Sequence, residues 1–228
     1  MGSHCLTITA LTLCLFLMVE AISIGQKADE KVTADSALAE LKAGNQHHVS
    51  HRYLHPHETA ERQRQLTSGQ HPHAEILSCS DSRVPPEIIF DQGLGDLFVV
   101  RVAGNVATDV ELGSLEYGAE HLHVALLVVL GHQHCGAVTA AVEGGNTEGH
   151  IGTLVKLLSP AVEKSRALPG DLVENSVKTN VEMVVKQLRA DPILRELVHE
   201  GKLRIVGSVY SLETGAVTWL PGTRDSDE

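Results

Sequence analysis

Apolar and polar residues alternate in blocks along the chain, and the blocks predict strands separated by helices. Five apolar runs of strand length lie at Ala74 to Ser80, Leu97 to Val102, Val124 to Leu130, Lys202 to Ser211 and Ala216 to Leu220. The third run, VALLVVL, contains no polar residue, which is typical of a strand covered on both faces. A turn at Glu213-Thr214-Gly215 joins the last two runs and predicts a hairpin.

Helical periodicity fills most of the intervals between these runs. Predicted helices lie at Thr33 to Lys42 (ended by Gly44-Asn45), around Glu58 to Leu66, at Asp109 to His121, from Cys135 to Val142, at 151–166, at 171–189 and after Pro192. Strands separated by helices favour a parallel sheet. The fold class that we predict is therefore α/β, with a mainly parallel four- to five-stranded sheet, helices on both faces and an N-terminal helical arm. Only the last hairpin strand is expected to be antiparallel.

The N-terminus differs from the rest of the chain. Cys5 to Val19 is an uncharged apolar run, and small residues follow it up to Gly25. This pattern predicts a signal peptide over residues 1–25 and an exported, periplasmic or secreted protein. An uncleaved membrane anchor or a buried helix remain alternatives, although the run is shorter than the roughly 20 residues of a bilayer span. If the signal is cleaved, we expect no stable membrane partner.

The remaining chain is predicted to form one domain. Residues 26–73 are a His-rich helical arm, and residues 74–228 are the α/β core. The aromatic fraction is only 3%, so Val, Leu, Ile and Ala must fill the core. The formal charge of −11, with no cluster of Lys or Arg, argues against nucleic acid as a partner.

Two short polar motifs follow the first and third predicted strands. Cys79-Ser80-Asp81-Ser82-Arg83 follows the first, and His132-Gln133-His134-Cys135 follows the third. Ligands of open α/β sheets bind in the crevice outside the carboxyl ends of the strands. Cys and His are preferred ligands of Zn²⁺, and three of them leave its fourth position open for catalysis. We therefore predict a zinc site formed by Cys79, His132 and Cys135.

A disulfide is the alternative for this pair of cysteines. Cys5 and Cys14 fall in the predicted signal, so the mature chain keeps only Cys79 and Cys135, and exported proteins commonly form disulfides. The spacing of His132 three residues before Cys135 favours a metal instead. His134 competes with His132 as the imidazole ligand, but a residue adjacent to Cys135 makes a poor chelate with it.

Asp81 and Arg83 supply opposite charges beside the predicted zinc. They could form an ordinary exposed ion pair, which contributes little to stability. Alternatively, Arg83 holds Asp81 beside the metal, where the carboxylate accepts a hydrogen bond from zinc-bound hydroxide or replaces the water on zinc. Two thiolates cancel the charge of the ion, so its water is less acidic than on a zinc held by three histidines. We expect activity to be low in acid and to rise into the alkaline range.

Three segments resemble the signature of the beta-class carbonic anhydrases over roughly residues 35–220. They are Cys79 to Glu87 (CSDSRVPPE), Asp91 to Asn105 (DQGLGDLFVVRVAGN) and Gly131-His132-x-x-Cys135-Gly136. The resemblance implies a lyase, carbonic anhydrase (EC 4.2.1.1), in which zinc-bound hydroxide reversibly converts carbon dioxide to bicarbonate and a proton.

The resemblance also implies roles for individual residues. Cys79, His132 and Cys135 match the ligands of one Zn²⁺ per subunit, and Asp81 with Arg83 matches the catalytic dyad. The positions that match the substrate pocket are Gln70, Phe98, Ala103, Tyr117 and Gly136. Plain core packing is the alternative for the two aromatic residues. The family builds its pocket from both subunits of a dimer, so a homodimer or a tetramer of dimers is implied.

Three other functions remain to be weighed. A zinc hydrolase of the same fold could act on carbonyl sulfide or carbon disulfide with the same nucleophile. A non-catalytic zinc-binding module would need a fourth ligand, such as His134 or Asp81, to close the site. A dinucleotide-binding domain is disfavoured, because Gly93-Leu94-Gly95 precedes a strand and Phe98 stands where the GxGxxG pattern needs glycine.

Overall fold

A computed structural model describes residues 32–144 and 149–223, and the predicted signal peptide therefore lies outside the described residues. The strands are β1 (Ala74–Ser78), β2 (Leu97–Arg101), β3 (Leu126–His132), β4 (Arg204–Tyr210) and β5 (Val217–Trp219). The helices are α1 (Ala34–Ser50), α2 (Ala60–Gln65), α3 (Pro86–Ile89), α4 (Asp109–Glu116), α5 (Gly136–Glu143), α6 (Ile151–Ser165), α7 (Leu172–Ala190) and α8 (Pro192–His199). Within these ranges, no helix has both the length and the apolar character needed to cross a bilayer.

The five strands form one sheet in the order β2-β1-β3-β4-β5. The first four are parallel, and β5 runs antiparallel to β4. This confirms the predicted fold class. Because β1 and β3 are neighbours, with Ser78 opposite Leu130, the Cys79 motif and the His132 motif leave the sheet side by side.

The central strands β1 and β3 are buried along their whole length, whereas the edge strand β2 is only partly buried. Helix α7 packs very closely on the sheet. A Cβ atom on Gly131 or on Gly207 would lie 2.7 Å from a methyl group of Val181. These two glycines therefore let α7 approach β3 and β4, which brings the helix near the end of β3.

Two helices differ from the prediction. Helix α1 does not end at Gly44-Asn45 but continues to Ser50, and His51 ends it in the left-handed region at φ 54°. Gly44 lies inside the helix, where a Cβ atom would be 1.7 Å from the carbonyl oxygen of Phe90. A glycine at this position therefore lets α1 pack closely against the Phe90 backbone. The predicted helix from Asp109 to His121 is continuous, but it changes from α4 to a wider π-helical turn at Tyr117–His121.

The His-rich arm is fastened to the loop that precedes β2. The Asp91 carboxylate accepts hydrogen bonds from the backbone N–H groups of Leu54 and His55, at 2.8 and 3.1 Å. The Asp96 carboxylate accepts one from the His57 ring at 2.7 Å. The arm and the α/β core thus share partly buried hydrogen bonds.

Candidate metal centre

The structure brings together two cysteines and a histidine at the carboxyl edge of the sheet. Cys79 directly follows β1, His132 ends β3, and Cys135 precedes α5. The sulfur atoms of the cysteines and a ring nitrogen of the histidine all lie within 4.8 Å of one another. The three residues are buried, with His132 0% exposed. Strand order alone therefore assembles the donor set that the sequence predicts.

The two cysteines are free thiols, and their sulfur atoms are 4.0 Å apart. A disulfide bond is about 2.05 Å long, so this distance is about twice a covalent one. Two sulfurs that bind one zinc ion are each about 2.3 Å from the ion and are not bonded to each other, so they can lie at such a separation. The geometry favours a metal over the disulfide.

The ring of His132 is oriented for a metal. Its Nδ1 lies 2.9 Å from the carbonyl oxygen of Gln133 and must donate its proton there, because a carbonyl can only accept. The lone pair of a neutral ring is then on Nε2. That atom is buried and has no hydrogen-bond partner among the described residues. A buried polar atom without a partner is unfavourable, and an ion between Nε2 and the two sulfurs would satisfy it.

The two thiols influence each other strongly. A hydrogen bond from Cys135, together with one from the Gly104 N–H group, lowers the pKa of Cys79 despite its burial. The same contact and burial raise the pKa of Cys135. The two thiols therefore do not ionise independently of each other. Metal-binding sulfurs must be deprotonated, so metal binding should release protons.

Asp81 and Arg83 form a two-armed ion pair at the cluster. Arg83 Nε and Nη2 donate to the two Asp81 carboxylate oxygens at 2.9 and 2.7 Å, and the Arg83 backbone N–H donates at 2.9 Å. These hydrogen bonds hold the pKa of Asp81 well below its usual range. Asp81 Oδ2 lies 3.9 Å from His132 Nε2, so the carboxylate faces the ligand atoms.

Arg101, at the end of β2, fixes the backbone of the Cys79 motif. Its Nε donates to the carbonyl oxygen of Cys79 at 2.9 Å, and its Nη2 donates to that of Asp81 at 2.6 Å. Sequence reasoning did not single out Arg101. The available signal was a charged residue within the otherwise apolar run Leu97 to Val102.

The five predicted pocket residues fall into two groups. Ala103 directly precedes Gly104, whose N–H donates to Cys79 Sγ at 3.3 Å, and Gly136 directly follows Cys135. These two positions lie beside the ligand cluster.

Gln70, Phe98 and Tyr117 lie elsewhere. Gln70 is exposed and lines a shallow depression with Gly95, before β1 and β2 begin. Cys79 is at the other end of the five-residue β1, which is about 16 Å long at 3.3 Å per residue. Phe98 and Tyr117 contact each other, with ring centroids 6.1 Å apart, near the amino end of β2. One subunit therefore does not gather the whole predicted pocket.

His134, the competing imidazole, is turned away from the cluster. Its side chain is 63% exposed, and its Nδ1 lies 3.7 Å from a carboxylate oxygen of Glu174 on α7. The backbone N–H of His134 donates to the same oxygen at 3.0 Å. Sequence reasoning did not identify Glu174, because only the tertiary fold brings α7 to this loop.

The fold and the site together define an α/β protein with two cysteines, one histidine and a charged dyad at the carboxyl edge of its sheet. A family model described as carbonic anhydrase matches residues 74–217. The chain is 42% identical over 180 residues to carbonic anhydrase 2 of Mycobacterium tuberculosis. The aligned region covers 77% of this chain and 87% of that protein. The chain is also 42% identical over 183 residues to a carbonic anhydrase of Mycolicibacterium smegmatis, covering 78% and 88%.

Solved structures agree with these relatives. A tetrameric beta-carbonic anhydrase from Sordaria macrospora matches with a TM-score of 0.65 and 29% identity, covering 70% of this chain and 85% of that one. The chain therefore belongs to the beta class of the carbonic anhydrases and is an enzyme of class EC 4.2.1.1.

Proposed function

We propose that this enzyme catalyses the reversible hydration of carbon dioxide to bicarbonate and a proton, with one Zn²⁺ per subunit held by Cys79, His132 and Cys135. The observation that supports this most directly is the unpartnered, buried Nε2 of His132 beside two free sulfurs. When bound there, zinc would act as a Lewis acid that activates water as a nucleophile.

Asp81 and Arg83 would orient the attacking water. The two-armed hydrogen bond from Arg83 fixes the direction of the Asp81 carboxylate and keeps it ionised. An ionised carboxylate only accepts hydrogen bonds, so it selects the orientation in which water points a proton at Asp81 and a lone pair at carbon dioxide. The released proton then passes to buffer.

The backbone beside Cys135 would receive the substrate oxygens. Gly136 is the first residue of α5, where backbone N–H groups have no partner within the helix. A side chain at Gly136 would meet nothing within 4 Å, so the space next to it is open. Ala103, which precedes Gly104 beside Cys79, would supply an apolar wall.

We further propose that the working enzyme is a homodimer or a tetramer of dimers. Gln70, Phe98 and Tyr117 would then complete the pocket of a neighbouring subunit, which accounts for their distance from their own cluster. The partly buried edge strand β2 and the tetrameric relative from Sordaria macrospora support an assembly. Analytical ultracentrifugation tests it, and a catalytically active monomer would contradict it.

A stopped-flow assay with a pH indicator and carbon dioxide tests the reaction. We expect hydration that depends on one zinc per chain by metal analysis, disappears with a strong chelator and returns with added zinc. Faster turnover of carbonyl sulfide or carbon disulfide than of carbon dioxide would instead support the related hydrolase. A stoichiometric zinc without any turnover would support a non-catalytic zinc module.

Export remains a prediction from the sequence. We propose that residues 1–25 are removed and that the mature enzyme is periplasmic or secreted. N-terminal sequencing of the protein from an exporting host tests this, with a new terminus near Ser23 or Gly25 as the expected result. An intact N-terminus that partitions with membranes would indicate the anchor.

A further inference from the structure

Helix α7 carries an amide on the face that packs against the sheet. Asn180 is only 4% exposed, and it shares this face with the buried residues Val177, Val181 and Val184. Burying an amide among apolar groups is unfavourable unless the amide is hydrogen-bonded. A residue such as valine or leucine would suit the position better if packing were its only requirement.

The amide of Asn180 reaches the loop beside the ligand cluster. Its Nδ2 donates to the carbonyl oxygen of Gly104 at 2.9 Å. The N–H group of Gly104 in turn donates to Cys79 Sγ at 3.3 Å. Gly104 is thus held on its carbonyl side by α7, while its amide side is directed at a sulfur atom of the site.

Gly104 has no side chain of its own to fix its position. It adopts the left-handed region at φ 75°, and a Cβ atom would lie 2.9 Å from Leu158 Cδ1. A side chain is therefore excluded by both backbone conformation and space. The direction of the Gly104 N–H group depends on packing and on the hydrogen bond from Asn180.

We propose that Asn180 is a positioning residue of the metal centre, which aims the Gly104 N–H group at the Cys79 sulfur. The inference rests on the zinc site of the proposed function. Two thiolates neutralise a divalent cation, and the hydrogen bond from the Gly104 N–H group orients the Cys79 sulfur and stabilises the negative charge with which it binds the ion. Partners of this kind, one step removed from the ion, commonly change metal affinity by 10–100-fold.

The test compares the wild-type full chain with Asn180→Leu, which keeps the side-chain shape but cannot donate. Asn45→Leu is the matched control. Asn45 is 7% exposed, and its amide also donates to backbone carbonyls, but to those of Ile89 and Gly215 instead of that of Gly104. The readouts are the zinc dissociation constant, from competition with a chelator, and the sulfur-to-cobalt charge-transfer absorption of the cobalt-loaded protein.

We expect Asn180→Leu to raise the zinc dissociation constant by about 10-fold or more and to shift the charge-transfer band. We expect Asn45→Leu to lower the unfolding midpoint but to leave both metal readouts unchanged. If Asn180→Leu is not recovered folded, Asn180→Ser is measured in the same way, because its short hydroxyl cannot span to Gly104 as the amide does.

Two results would overturn the inference. One is an Asn180 variant with wild-type zinc affinity and an unchanged cobalt spectrum. The other is an Asn45 control that changes both readouts as much, since the effect would then reflect general loosening of the fold. A wild-type chain without stoichiometric metal would refute the proposed function itself and the inference with it, so the two failures are distinguishable.

Discussion

Glu75, the second residue of β1, should make the stability of this enzyme depend on pH in the opposite sense to most carboxylates. Its side chain is 0% exposed, and neither carboxylate oxygen has a hydrogen-bond partner among the described residues. Burial raises the pKa of Glu75 well above its usual value. The folded chain therefore keeps this carboxyl neutral at a pH where the unfolded chain has ionised it.

The size of the effect follows from proton linkage. Between the unfolded pKa of a glutamate, about 4.3, and the raised pKa of the folded state, unfolding releases one proton from Glu75. In that window the free energy of unfolding falls by about 1.4 kcal/mol per pH unit, or about 2.7 kcal/mol over two units. The stability is fully present below the unfolded pKa and is lost as the pH rises through the folded one.

Glu75→Gln isolates this contribution, because the amide has the shape of the neutral acid and cannot ionise. We propose urea unfolding of both proteins at one concentration and several pH values between 4.5 and 8, with equal zinc loading. The variant minus wild-type difference should be smallest at the acid end and grow at up to about 1.4 kcal/mol per pH unit. Glu182→Gln, at an exposed position of α7, is the control for exchanging a carboxylate for an amide in solvent.

A flat difference for Glu75→Gln would refute the reasoning. It would mean that Glu75 titrates alike in both states, which requires a partner or solvent at its carboxylate. A difference that shrinks with rising pH would be still stronger evidence against it. That result would show an ionised Glu75 stabilising the folded chain.

Three further predictions concern the ligand cluster and the surroundings of Glu75. Cys135→Ser should lose stoichiometric zinc by metal analysis and lose hydration activity with it, and retention of both would contradict the proposed ligand set. Asp81→Asn should keep its zinc but lower turnover by about 10²–10⁴-fold in the stopped-flow assay, because the amide can present a proton to the attacking water. Gly118→Ala would place a Cβ atom 1.8 Å from Glu75 Oε2 and should destabilise the protein by about 1–3 kcal/mol in urea unfolding. The same change should cost much less in a Glu75→Ala background, and additive effects of the two substitutions would argue against direct crowding.

The sheet could be predicted because its central strands are buried on both faces. Such strands have nearly continuous apolar runs, and the run from Leu126 to Leu130 is entirely apolar. The ligand cluster followed from the same pattern, since both motifs begin where an apolar run ends. The predicted end of α1 was wrong. Glycine commonly ends a helix, but Gly44 lies inside α1 and allows close packing against Phe90.

The contacts that surround the cluster could not be read from the sequence. Gly104 lies 25 residues from the sulfur to which it donates, and Asn180 lies 76 residues from the carbonyl that it holds. Gly104 falls within the family segment Asp91 to Asn105, but neither contact is visible in the sequence, because tertiary packing brings each residue to its partner. The sequence thus predicts the donor atoms, whereas the groups that orient them depend on the tertiary fold.

The pH dependence expected of the site and that of the core oppose each other. A zinc bound by two thiolates should need alkaline conditions for an active nucleophile, whereas Glu75 makes the fold less stable as the pH rises. The two effects arise close together in the chain, since Glu75 is in β1 and Cys79, four residues later, directly follows that strand. In the wild type, activity at alkaline pH should therefore be higher at first but lost faster on incubation. Because Glu75→Gln removes only the second effect, it should extend the lifetime at alkaline pH without changing the initial rates.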